Sequence, residues 1–77
     1  MTYYLYFSHT GDYYTEDHEL TDEELYCDGC MDSDELMSTF TNRSELIQHL
    51  VLDGAFRETI DYVVGEWEKS FYDRKVD

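Results

Sequence analysis

Between Met1 and Asn42 the chain carries eleven Asp and Glu and no Lys or Arg. More than half of its 77 residues must therefore fold with no lysine or arginine to pair their carboxylates. Like charges crowded together oppose compaction, so these acids have to face outward. An ordinary soluble domain mixes both signs on its surface. Residues 43–77 come closer to that, with eight acids and five bases, and the formal net charge of -14 is thus concentrated in the first half. Self-repulsion on this scale is relieved by salt or by a cationic partner. Such a surface repels phosphates and anionic membranes and attracts basic clefts, so the selection for charge is expected to lie outside the fold.

The composition supports a folded chain. With 42% apolar and 17% aromatic residues, including eight Tyr, four Phe and one Trp, it is too rich for a disordered acidic tail. Residues 1–77 are read as a single domain, short enough that one apolar core supplies only about 3–5 kcal/mol and a staple is often needed. Tyr3-Tyr4-Leu5-Tyr6-Phe7 is too short for the apolar region of a signal peptide and follows no basic segment. No transmembrane run is visible, and a cytoplasmic location is expected. The glycosylation sequon Asn42-Arg43-Ser44 then carries no meaning, and two cysteines read as thiols or metal ligands before a disulfide.

The predicted fold is α+β, an N-terminal β-hairpin packed on two or three helices with a zinc knuckle. Thr2 to Ser8 and Tyr13 to His18 form the hairpin around the turn residues His9-Thr10-Gly11-Asp12, in a register the sequence leaves open. Thr21 and Glu24 match a capping box and start one short helical turn. Asp32 or Ser33 is expected to cap another short helix with Leu36, Met37 and Phe40 on its apolar side. Asn42, with Glu45 three residues on, caps a helix that Gly54 ends. A last helix, over 55–73, carries Phe56, Ile60, Val63, Val64, Trp67 and Phe71 on one stripe, with Glu58, Asp61, Glu66, Glu68 and Lys69 opposite. Within it Gly65 is a weak point suited to close packing on the hairpin.

Cys27 and Cys30 stand at knuckle spacing, with Gly29 providing a tight turn that lets two thiolates face one cation. Phe40, Leu46 and His49 follow. The run from Tyr26 to Asp53 partly resembles the Cys2His2 zinc finger, in which Phe and Leu pack and His ligates from one helix face. Eighteen residues separate Cys30 from His49 where the family has about twelve, and Asp53 stands where a second His would. Structural zinc is therefore assigned to Cys27, Cys30, His49 and Asp53. His18 is ranked just below Asp53 for the fourth position, and His9 competes from the hairpin. Two other uses of the cysteines remain, as unligated buried thiols or as a redox pair. The surrounding Asp28, Asp32 and Asp34 raise thiol pKa values and disfavour redox chemistry, whereas a divalent cation is drawn by the same field.

Other sites are weaker. Asp32-Ser33-Asp34-Glu35 starts like a calcium loop but lacks its glycine and closing glutamate. Tyr3, Tyr4, Tyr6, Tyr13 and Tyr14 read as hairpin core and cross-strand pairs, because an anionic hairpin repels the phosphates of a nucleic acid. No nucleophile and base arrangement is present, so an enzyme is not expected.

In size, charge and make-up the chain resembles phage-encoded acidic inhibitors of host DNA enzymes, the anti-restriction and anti-CRISPR proteins. That likeness implies an inhibitor in the host bacterial cytoplasm, mimicking nucleic acid in a basic cleft of a nuclease. An RNA-guided DNA nuclease is the preferred target, since its positive channel and PAM-reading arginines accept carboxylates. The expected contact set is Asp17, Glu19, Asp22, Glu23, Glu24, Asp28, Asp32 and Asp34. The alternative is a zinc-stabilised adaptor that recruits a protein through the aromatic hairpin or the last helix, with charge serving solubility.

Overall fold

The computed structural model describes residues 1–29 and 31–72. The α+β fold expected from the sequence is present. β1, Tyr3–Phe7, pairs antiparallel with β2, Tyr13–Glu16, in a register running from Phe7 opposite Tyr13 to Tyr4 opposite Glu16. Gly11 turns the connecting loop at φ 98, a conformation that suits a residue without Cβ. Within that loop the Ser8 N–H donates to the Asp12 carbonyl at 2.6 Å and the Gly11 N–H to the Ser8 carbonyl at 2.9 Å.

The short helix α1, Asp22–Leu25, starts at the expected capping box. Its Glu24 N–H donates to Thr21 Oγ1 at 3.2 Å, and the Thr21 N–H donates back to Glu24 Oε1 at 3.1 Å. β3, Tyr26–Cys27, and β4, Asp32–Ser33, then form a small second hairpin. Gly29 stands in the turn between them, as expected, and Met31 is the residue there that takes a left-handed backbone, φ 55.

The helix expected after Asp32 or Ser33 does not form. Glu35–Phe40 is instead a strand, β5, antiparallel to β1, and the sheet order is β2-β1-β5. Leu36, Met37 and Phe40 fit a helical spacing, but β1 has a second side whose N–H and C=O groups need partners. A neighbouring strand satisfies them, and Ser38-Thr39-Phe40 suits a pleated surface. Pairing steps from Leu5 opposite Ser38 to Tyr6 opposite Leu36, leaving Met37 as the extra residue of a bulge.

α2, Arg43–Leu52, begins where Asn42 Oδ1 accepts the Glu45 N–H at 2.9 Å. The Glu45 carboxylate reaches one residue further back, to the Thr41 N–H at 3.0 Å. Gly54, at φ 84, releases the chain. α3, Arg57–Trp67, continues into a wider π turn, Glu68–Tyr72, and residue 73 of the expected helix lies outside the described residues. Phe56 leaves the predicted stripe. It is the residue before the first turn, extended at φ -71 and ψ 154, so the helical period does not reach it and it is 81% exposed. Gly65 is exposed with open space where a Cβ would stand, so it serves no close approach.

On one face of the sheet Tyr3, Leu5 and Phe40 join Leu46 and Leu50 of α2 and Val63, Val64 and Trp67 of α3 in a single core. Aromatic rings dominate it. The Tyr3 ring lies 5.6 Å from Phe40, 5.4 Å from Trp67 and 5.4 Å from Phe71, with Trp67 edge-on to both Tyr3 and Phe40. Each such ring buries a large area, which lets 77 residues close a core. Trp67→Ala should cost about 3–5 kcal/mol in urea unfolding. Phe56→Ala, despite sharing the sequence period, should stay within about 0.5 kcal/mol.

Candidate functional site

β1 alternates. Tyr3 and Leu5 point to the helices, so Tyr4 and Tyr6 point the other way, and Tyr6 is nonetheless fully buried. What lies on that second face is the acidic segment between Glu16 and Glu35. Tyr6 stacks on Tyr14 at 5.4 Å, and its hydroxyl accepts the Leu20 N–H at 2.8 Å. Leu20 and Leu25 are half-buried, giving the segment an apolar underside.

Asp34 fastens its far end. Oδ1 accepts the His9 N–H at 3.0 Å and contacts His9 Nδ1 at 2.7 Å, and Oδ2 accepts the Tyr14 hydroxyl at 2.6 Å. The Asp34 N–H in turn donates to the Leu25 carbonyl at 2.8 Å, tying β4's exit to the end of α1. With the Tyr14 hydroxyl and His9 both stabilising the charged form, the Asp34 carboxyl is lowered to about 2. The same contact raises His9 above its usual 6.5, helped by the nearby Cys27 and Asp32 charges and opposed by desolvation. Burial, then the bond to Asp34, pushes the Tyr14 phenol up.

Of the eight acids expected to meet a partner, Asp34 is thus turned inward and used by the fold. Glu19, Asp22, Glu23, Glu24, Asp28 and Asp32 are exposed on the outer side of the segment, and Asp17 is half-buried beside the ring of His18. Glu24 is partly committed to the Thr21 capping bonds, which hold its carboxyl below the usual range. Among the described residues, Arg43 pairs with Glu68 at 2.8 Å.

Three of the four ligands read from the sequence, Cys27, His49 and Asp53, form no common group among the described residues. Cys27 is half-buried at the end of β3, opposite Asp32, and Cys30 lies outside the described residues. His49, on α2, borders a small pocket with Asp53, Leu5 and Met37. Asp53 caps α2, and its carboxylate accepts the Tyr13 hydroxyl. Cys27, His49 and Asp53 do not converge, because α2 packs on the Leu5 face while Cys27 belongs with the segment that Asp34 ties to Tyr14 on the Tyr6 face. Among the described residues, one group of three could hold a metal ion: Glu16, Asp17 and His18, with ligand atoms within 4.8 Å of one another. It follows directly on β2, and His18 is exposed. Asp17 raises the pKa of His18 through its hydrogen bond, against desolvation.

Sequence reasoning did not find the bonds that Asp34 makes to the hairpin. Tyr6 and Tyr14 form the cross-strand pair read from the sequence, whereas no local pattern joins His9 to Asp34 across 25 positions. No helix is long and apolar enough to cross a membrane among the described residues. The chain matches no protein-family model, no curated protein and no solved structure.

The His9–Asp34 pair has a defined pH window. His9, raised in the folded state, contributes fully below 6.5 and loses its contribution as pH climbs through the raised value. Asp34, depressed, contributes fully above 3.8 and loses it as pH falls towards about 2. The Tm difference between the native chain and His9→Gln should therefore be widest between pH 3.8 and 6.5 and narrow on both sides. A gap that grows above pH 8 would contradict the pairing.

Proposed function

We propose that this protein is a non-enzymatic inhibitor that places its acidic segment in the nucleic-acid-binding cleft of a basic protein. An RNA-guided DNA nuclease of the bacterial cytoplasm, as in anti-CRISPR action, is the preferred target. The observation that carries this reading is the clamped geometry of the segment: exposed carboxylates on its outer side, apolar residues and internal hydrogen bonds beneath. A flexible acidic chain would lose conformational entropy on binding, whereas a held one presents its charges already placed. Carboxylates on such a surface can engage Arg in the bidentate manner of phosphates. Inhibition would be steric and electrostatic, the nuclease losing access to its DNA.

In the same reading zinc has no part in the contact. A divalent cation such as zinc would sit at Glu16, Asp17 and His18, where imidazole nitrogen and carboxylate oxygen are suitable ligands. Zn2+ titrated into labelled protein should shift the His18 ring signals; His18→Ala should remove the response and Cys27→Ser should leave it. The opposite pattern would return the cation to the cysteines.

The adaptor reading keeps one observation in its favour, the exposed Val51, Leu52, Phe56 and Tyr62 around the α2–α3 corner. Salt separates the two. Displacement of target DNA from a guide-loaded nuclease should weaken steeply between 50 and 300 mM salt if charge governs association. Replacing Glu19, Asp22, Glu23 and Asp28 together by their amides should raise the half-inhibitory concentration roughly ten- to a hundred-fold while the melting curve holds. Inhibition indifferent to both salt and these amides would end the mimic reading.

A further inference from the structure

A second surface lies at the loop end of the hairpin, lined by Gly11 and Asp12 of the loop whose His9 binds Asp34. The β1–β2 loop and the first two turns of α3 bound a groove of about 680 Å3. Four aromatic rings line it: Phe7, Tyr13, Phe56 and Tyr62. Phe7 and Tyr13 meet edge to face at 5.0 Å and form its floor, both half-buried. Phe56 and Tyr62 stand at its side, 81% and 65% exposed. Asp12 and Glu58 are at the rim, and no Lys or Arg lines it.

Exposed aromatic rings beside unpaired-sign carboxylates define one chemistry. We infer that this groove receives an arginine-bearing segment of a basic protein partner, its guanidinium stacked on Phe56 or Tyr62 and hydrogen-bonded to Asp12 or Glu58. A guanidinium is planar and weakly hydrated, so it stacks on a ring face and still offers its edge to a carboxylate. An ammonium does this less well. A purely apolar segment would leave Asp12 and Glu58 without a counter-charge. A second copy of the chain would bring another -14 to the contact and set rim carboxylates against each other. The inference rests on the reading that the partner is basic. It adds that the partner is gripped at two places, by the acidic segment and by this groove.

The test uses the intact protein and the blocked peptide Ac-Arg-Leu-Leu-Arg-NH2, followed by NMR of the aromatic side chains. Its controls are the Lys counterpart and an uncharged Gln counterpart. Phe56 and Tyr62 signals should shift, and Phe56→Ala and Tyr62→Ala should each weaken this response about two- to five-fold. Both side chains are largely exposed, so both variants should fold. The Lys peptide should bind the groove more weakly than the Arg peptide, and the Gln peptide should fail. Three results would overturn the inference: shifts confined to residues 17–34, equal binding of Arg and Gln peptides, or Phe56 signals that move only with protein concentration. The first leaves the inhibitor reading standing, because the acidic segment would still bind cations. Loss of DNA displacement by the four-amide variant, with the groove response intact, separates the two in the other direction.

Discussion

A single carboxylate sets the shape of the acidic half. Asp34 takes the backbone and ring of His9 and the hydroxyl of Tyr14, so the chain that leaves the hairpin at Glu16 is brought back to the same hairpin before β5 begins. Between those points the local structure is slight, one four-residue helix and a hairpin with two residues per strand. Neither is stable alone in water. Repulsion among exposed carboxylates pushes the segment away from the body, and the donors on β1, β2 and their loop oppose it. Those donors are neutral or weakly basic groups, Tyr, His and backbone N–H, which is how a half-chain without Lys or Arg holds its acids in place.

The same arrangement explains why the sheet has two differently built faces. Strand alternation sends Tyr3 and Leu5 into an apolar core with α2 and α3, and sends Tyr6 beneath the acidic cover. β1 is the central strand in both respects, paired on each edge and covered on each face. Large aromatic rings serve the first face through area. On the second face they also serve through their hydroxyls, since a buried phenol needs a partner and here finds a backbone N–H or a carboxylate.

Much of this was legible where the signal is local. Thr21 with Glu24 and Asn42 with Glu45 mark helix starts because the caps bond within four residues, and Gly54 marks an end because its φ is positive. Tyr3 to Phe7 and Tyr13 to Glu16 announce a hairpin by composition. Glu35–Phe40 was misread because a six-residue run with Leu36, Met37 and Phe40 suits either period, and the open edge of β1 decides between them. Phe56 was misread because periodicity does not know where the first turn begins. For the cysteine set, Cys30 lies outside the described residues, and Cys27, His49 and Asp53 form no common ligand group. Order along the chain implies proximity only when one supersecondary unit encloses both residues, and here Cys27 ends β3 whereas His49 lies on α2, beyond β5.

The charge then has a consistent physical role. An isolated domain of -14 is weakened by its own field, and any cationic ligand that binds the folded form alone both screens that field and shifts folding towards the native state. Because Asp34, Tyr14 and Tyr6 place the segment before a ligand arrives, the attraction to a basic surface is not spent on ordering the chain. Electrostatics alone would attract any polycation. Selectivity has to come from features that a flexible polyanion lacks, namely the fixed outline of the segment and the aromatic groove at the loop end of the hairpin, where a ring and a carboxylate together distinguish guanidinium from ammonium.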